Sequence, residues 1–190
     1  MLELDCNYFC MKKFIKVKTK KTYEFGKWYR VDVDEVITPS GNIGEYNVVK
    51  HDDFPIIIPI DENGDIYFTK FHRYTTDFVS IELPAGHSDG EKIIEAAKRE
   101  LREETGLEAN FWKKIGDMHI ANGIASITAV VFIAKDLKKV GKPIDMENES
   151  IDSVLKLNLN QVKNYIATGK IKDDITISAI AKAEYSGELS

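Results

Sequence analysis

From Trp28 to Ile37 the chain reads WYRVDVDEVI, with apolar and polar residues largely alternating, the period of a half-buried strand. The turn-forming stretch PSGNIG follows, and EYNVVKH reads as the returning strand. FPIIIPI is a continuous apolar run and predicts a buried strand; DENGD, with its Asn-Gly, suits a tight hairpin into IYFTKFHRY. A short strand, VSIEL, precedes a helix expected from about Glu91 to Thr105. FWKKIGDMHI and ITAVVFIAKDL predict two more strands, and VLKLNL another. Asn160 is placed to cap a helix over QVKNYIATG, ended by Gly169, and DDITISAIAKAEY predicts the last helix. Strands outnumber helices, and the helices are separated. The economical arrangement is an α+β fold, a mixed sheet with helices on its faces. Residues 1–52 are expected to form a small strand-rich subdomain and residues 53–190 the main domain.

The helix ends with Glu100, Glu103 and Glu104 in the last turn and a half before Gly106. A helix C-terminus carries partial negative charge, so carboxylates there have the wrong sign. At about 100° per residue, with Glu100 as zero, Glu104 lies near +40° and Glu103 near −60°. Ala97, Leu101 and Ile94 form the buried stripe between about +60° and +120°, which puts the acids beside it. Like charges three and four residues apart repel, so a hard divalent cation is the direct compensation. On charge pattern alone, Lys92, Lys98, Arg99 and Arg102 among the acids also describe a solvated helix face.

The 190 residues carry a formal charge of −5, with 43% apolar and 30% charged residues. That balance disfavours nucleic acid or an anionic membrane as the main partner. The basic run from Met11 to Lys21 is short and apolar-interleaved, as a solvated strand face would be. Two cysteines, Cys6 and Cys10, supply neither a disulfide framework nor a four-ligand zinc site. The four histidines, His51, His72, His87 and His119, lack ligand spacing. No signal-peptide core and no apolar run near ~18 residues is present, so a cytoplasmic protein is expected.

The wider spacing decides the reading of the acids. ELPAG precedes the helix; Glu91 follows, then seven residues, then RELREETGL. This resembles the Nudix box, G-x5-E-x7-R-E-U-x-E-E-x-G-U with U aliphatic. Every fixed position from Glu91 onward matches, whereas the loop between Gly86 and Glu91, HSDG, is one residue short. GKWYRV, TPSGNIGEY, FHRY, IELPAG, FIAKDL, MENESI and GKIKDDITISAI are similar, in order, to the ADP-ribose pyrophosphatase branch of Nudix hydrolases.

The resemblance implies a mixed sheet in an α/β/α sandwich and metal-dependent cleavage of the pyrophosphate of a nucleoside diphosphate sugar. It implies Mg²⁺, with Mn²⁺ as a substitute, held by Glu100, Glu103, Glu104, Glu149 and the Ala85 carbonyl. Arg99 would orient the glutamates, Glu91 would brace the loop, and Glu147 in MENESI would be the base. Trp28 and Tyr46 would stack on the nucleobase across a homodimer, and Arg73 would contact a phosphate or the terminal ribose. Asn122 stands where the branch often has proline, and Ile127 where a glutamate is common. ADP-ribose is therefore the first expectation and another nucleoside diphosphate sugar, such as a GDP-hexose, the next. A nucleotide-binding protein without hydrolysis is the alternative of a different class.

Overall fold

The computed structural model describes residues 12–27, 29–143 and 151–189. The chain divides into two compact units, residues 1–51 with 121–127, and residues 52–120 with 128–190.

In the first unit, β1 (Ile15–Phe25), β2 (Tyr29–Ile37), β3 (Ile43–Lys50) and the short β4 (Ala125–Ser126) form one sheet in that order. The first three strands are antiparallel, and β4 joins β3 in parallel. The residues that supply β4 are remote in sequence, and no local pattern announces them. The alternation in β2 has an unexpected sense. Asp32 and Asp34, each 5% exposed, lie on its buried face, while Val31 and Val33 are half-buried on the other. Flanking strands make this possible. Asp32 accepts from Thr22 (2.7 Å) and pairs with Lys50 (3.0 Å); Asp34 accepts from Thr19 (2.7 Å) and pairs with Lys16 (2.8 Å). The stems of these lysines cover the carboxylates while their ammonium groups compensate the charge. The opposite sheet face presents Ile15, Tyr23, Phe25, Tyr29, Ile37 and Ile43, all exposed.

Both aspartates titrate below their ordinary value. For Asp32 the hydrogen bonds from Thr22 and Lys50 lower it; for Asp34 burial raises it, and the bonds from Lys16 and Thr19 outweigh that. Their stabilisation is fully present above the unfolded value of 3.8 and is lost as pH falls toward the depressed folded values. Asp34→Asn should therefore lower stability at pH 7 by about 1–3 kcal/mol, with the loss shrinking as pH falls below 3.8, measured by denaturant titration.

In the second unit, β5 (Phe54–Pro59), β9 (Thr128–Lys139) and β8 (Leu107–His119) form one sheet, ordered β5-β9-β8. β9 is parallel to β5 and antiparallel to β8. A second sheet holds β10 (Ile151–Leu157), β6 (Ile66–Arg73) and β7 (Phe78–Glu82) in that order. The helices are α1 (Ile93–Thr105), α2 (Leu159–Ala167) and α3 (Asp174–Tyr185). The apolar run of β5 is buried on both faces, as its composition predicts. Ile57, Val130 and Phe132 pack with Ala97 and Leu101 of α1. Ile56, Ile58, Val131 and Ile133 pack with Phe68, Val162 of α2 and Ala179, Ile180 and Ala183 of α3. The central sheet thus has helices on either side, the arrangement the strand and helix order predicted.

Local chemistry corrects two boundaries. The N-cap of α2 is Asn158, not Asn160. Asn158 accepts from the Gln161 amide (2.9 Å), and the Gln161 side chain returns to the Asn158 amide (2.9 Å), a full capping box. α1 starts at Ile93 rather than Glu91, because Ser88–Glu91 is a tight turn. No helix among the described residues is long and apolar enough to cross a membrane.

Candidate active site

The strand β7 ends at Glu82 and the chain continues as Leu83-Pro84-Ala85-Gly86 along the edge of the other sheet. The Ile57 amide donates to the Pro84 carbonyl (2.9 Å), and Ala85 bridges Ile56. Helix α1 lays its last two turns against this segment. Glu104, 1% exposed, accepts from the Ala85 amide (3.3 Å). Glu100, 6% exposed, presses on Gly86, where a Cβ would sit inside its carboxyl group. The two acids therefore occupy the middle of the buried arc of α1, flanked by Ala96 and Ala97, and not its edge. Glu103 is only half-buried and lies at that edge.

Arg99 ties these groups together. Its Nη1 donates to Glu100 (2.7 Å) and Glu103 (2.9 Å), its Nη2 to the His87 carbonyl (2.7 Å) and its Nε to Glu91 (3.3 Å). Burial pushes the guanidinium down, but the bonds to Glu103, Glu100 and Glu91 outweigh it and hold Arg99 above its usual value. The short loop meets this arrangement through the Asp89-Gly90 pair. Both have positive φ, +46° and +80°, and the Glu91 amide closes on the Ser88 carbonyl (2.8 Å). Two left-handed central residues are the pattern of a type I′ turn, which Asp-Gly favours. The tight turn takes up the missing residue and still brings Glu91 to Arg99.

The other end of α1 is fastened too. Gly106 adopts the left-handed conformation (φ +70°) that closes a helix, with its amide on the Arg102 carbonyl (2.9 Å). Its own carbonyl accepts from the Val140 amide (2.9 Å), and a Cβ on Gly106 would lie 2.6 Å from the Gly141 oxygen. The chain leaving β9 is thereby seated on the end of α1, ahead of MENESI. Glu147 and Glu149 lie outside the described residues, as does Trp28.

Arg73, at the end of β6, makes a two-pronged pair with Glu82, Nε to Oε1 at 2.9 Å and Nη2 to Oε2 at 2.5 Å. The bonds to Glu82 raise Arg73 above its ordinary value against the opposing effect of burial, and Glu104 and Asp173 add to its acidic surroundings. The sequence signals Glu82 only as part of IELPAG, with nothing to pair it with Arg73 nine residues earlier. Register alone does not supply that link, since it sets Arg73 opposite Phe78 and Glu82 opposite Thr69; the two share a sheet face, and the long Arg73 side chain lies back over the Phe71 ring (4.3 Å) to reach Glu82. In the first unit, the Tyr46 hydroxyl donates to the Gly123 carbonyl (2.6 Å) and its ring meets Phe14 edge-on at 5.4 Å.

Among the described residues no group of three acidic, histidine or cysteine side chains converges as a ready-made metal cluster. Arg99 accounts for this in part, because it draws Glu103 and one oxygen of Glu100 to itself. The donor set nevertheless suits a hard divalent cation. Two buried carboxylates one helical turn apart meet at one backbone segment, and such cations take carboxylate and carbonyl oxygens. Buried like charges so placed favour a positive partner. Gly86→Ala tests the cradle. The added methyl must displace the Glu100 carboxyl, so the Mn²⁺ dissociation constant should rise by about 10–100-fold, read by electron paramagnetic resonance.

The NUDIX domain family matches residues 49–174. The ADP-ribose pyrophosphatase of Mycobacterium tuberculosis (strain ATCC 25618 / H37Rv) is 30% identical over 164 residues, covering 85% of this chain and 79% of that one. The ADP-ribose pyrophosphatase of Bacillus subtilis (strain 168) is 26% identical over 166 residues, 87% of this chain and 90% of its own. Among solved structures, an ADP compounds hydrolase superposes with a TM-score of 0.77 at 19% identity, covering 94% of this chain and 98% of that one, a likeness of fold. With a family match over most of its length and the box residues gathered at one end of α1, the chain belongs to the Nudix family of hydrolases.

Proposed function

We propose that the protein hydrolyses the pyrophosphate bond of a nucleoside diphosphate sugar, with ADP-ribose giving AMP and ribose 5-phosphate, in the presence of Mg²⁺. The observation that carries this is the burial of Glu100 and Glu104 together against the Ala85–Gly86 backbone. Two relatives named as ADP-ribose pyrophosphatases support the choice of substrate.

Glu100 and Glu104 would hold the metal with the Ala85 carbonyl, assisted by Glu103 and Glu149. When bound, Mg²⁺ offsets the negative charge that builds on phosphoryl oxygens as the bond to the leaving phosphate breaks. Arg99 keeps the carboxylates aimed through charge-assisted hydrogen bonds, and Glu91 braces Arg99. Glu147 takes a proton from the attacking water. The water oxygen bonds to one phosphorus, the bridging P–O bond breaks, and its electrons stay on the departing phosphate. Arg73, held by Glu82, offers the rest of its half-exposed guanidinium to a phosphate or the terminal ribose.

Trp28 and Tyr46 stack on the base from two subunits of a homodimer. On the exposed sheet face Ile15, Ile37 and Ile43 cluster at one end and Tyr23, Phe25 and Tyr29 at the other, with Lys18, Glu35 and Glu45 in a row between them; exposed apolar clusters with charged neighbours support an interface on this sheet. Trp28→Ala should raise KM about ten- to a hundredfold, because base–aromatic stacking contributes ~1–3 kcal/mol per ring, and kcat should hold. Light scattering at micromolar concentration should give a dimer. An active monomer would defeat the shared site.

The decisive experiment is a panel of ADP-ribose, GDP-linked hexoses and other nucleoside diphosphate compounds with Mg²⁺, read by released products. ADP-ribose is expected to give the highest kcat/KM. Binding without products would leave a nucleotide-binding protein, and preference for a GDP-hexose would replace the substrate.

A further inference from the structure

The segment that meets the two buried glutamates is also held from its opposite side. The Leu83 amide donates to Thr176 Oγ1 at 3.0 Å, and both residues are buried, Thr176 at 1% exposure. Thr176 stands in the first turn of α3, where its own amide is capped by Asp173 Oδ2 at 2.7 Å. α3 is fixed in turn by Ala179, Ile180 and Ala183 in the core. Pro84 has no amide hydrogen and its carbonyl is taken by the Ile57 amide (2.9 Å), so the donors this segment turns toward α3 and α1 are the Leu83 and Ala85 amides. On one side of Pro84 the acceptor is Thr176; on the other it is Glu104.

We propose that Thr176 is a positioning residue for the carboxylate site. Its hydroxyl works with the Ile57–Pro84 bond to fix the Leu83–Gly86 backbone, and so helps set the Ala85 amide on Glu104 and Gly86 against Glu100. This rests on the reading of those glutamates as the metal-holding pair. Removing the acceptor leaves the Leu83 amide buried without that partner, and the segment shifts to recover one. A catalytic site tolerates displacements of only ~0.5 Å, so a small shift there reaches the carboxylates. Asp173 serves the same end indirectly, by holding the helix start on which Thr176 sits.

The test compares Thr176→Val, which keeps the shape and removes the hydroxyl, with Thr176→Ser, which keeps the acceptor. In the metal-free chain, amide exchange at Ala85 should quicken about tenfold in Thr176→Val beyond any change at Val131, which reports on the core. The Mn²⁺ dissociation constant, read by electron paramagnetic resonance, should rise about 10–100-fold, the usual effect of losing a supporting group. Thr176→Ser should restore both to near wild type. Wild-type exchange at Ala85 in Thr176→Val overturns the proposal, as does a rise that merely tracks Val131. If Thr176→Val does not fold, Asp173→Ala decides in its place: faster exchange at Ala85 than at Val131 supports the role, and equal change removes it. Should the wild-type chain bind no Mn²⁺, the metal reading falls, while exchange at Ala85 still decides whether Thr176 sets the segment.

Discussion

Glu104→Gln is expected to lower turnover of ADP-ribose by about 10²–10³-fold, the range for losing one group that stabilises transition-state charge. Glutamine has nearly the same shape, and its amide oxygen can still accept from the Ala85 N–H. The fold should therefore survive. Glu104 is all but fully buried on α1, one turn from Glu100. Taking away one of two like charges at that spacing relieves repulsion, so the metal-free protein should be no less stable and slightly more so. What is lost is a negative oxygen for the cation. Turnover across a Mg²⁺ titration, with thermal unfolding of the same samples, checks both halves. Near-normal turnover at saturating Mg²⁺ would remove Glu104 from the metal site.

Glu147→Gln carries the second large effect. A carboxylate that accepts a proton from water acts in the transition state, so kcat should fall by roughly 10²–10⁴-fold with little change in KM. Glu149→Gln, by contrast, should raise the Mg²⁺ required for half-maximal rate. Steady-state kinetics of the two variants separate the roles. Reversed behaviour would exchange them, and normal kinetics in both would place the base on another loop.

Much of the fold was legible because its signals are local. β5 is a run of buried isoleucines between prolines, and the Asn-Gly of DENGD marks the hairpin into β6. The box residues are legible too, since a fixed spacing on one helix fixes their relative directions. Reading failed where a distant partner decides. Asp32 and Asp34 look like the solvent side of an alternating strand, and only lysines and threonines from neighbouring strands make their burial tolerable. Glu100 and Glu104 look like the edge of an amphipathic helix, yet the Ala85–Gly86 backbone comes down over them and places them inside. Asn160 and Asn158 are equally good caps by type; the Gln161 side chain, three residues after Asn158, selects the earlier one. Arg73 and Glu82 are four residues out of register on neighbouring strands, and meet because they share a sheet face along which the Arg73 side chain lies back over Phe71, which composition does not record.

The contact between Gly106 and Gly141 is lopsided, and that has a consequence for how the sequence can drift. A side chain at 106 would need a left-handed backbone and would also strike the Gly141 carbonyl; one at 141 would meet nothing within 4 Å. Two glycines that touch are thus under different selection. Position 141 is free to wander through the small residues and beyond, carrying no record of the contact. Position 106 holds the memory of it alone, so the joint between the helix and the strand exit can persist through divergence that erases one of its two partners.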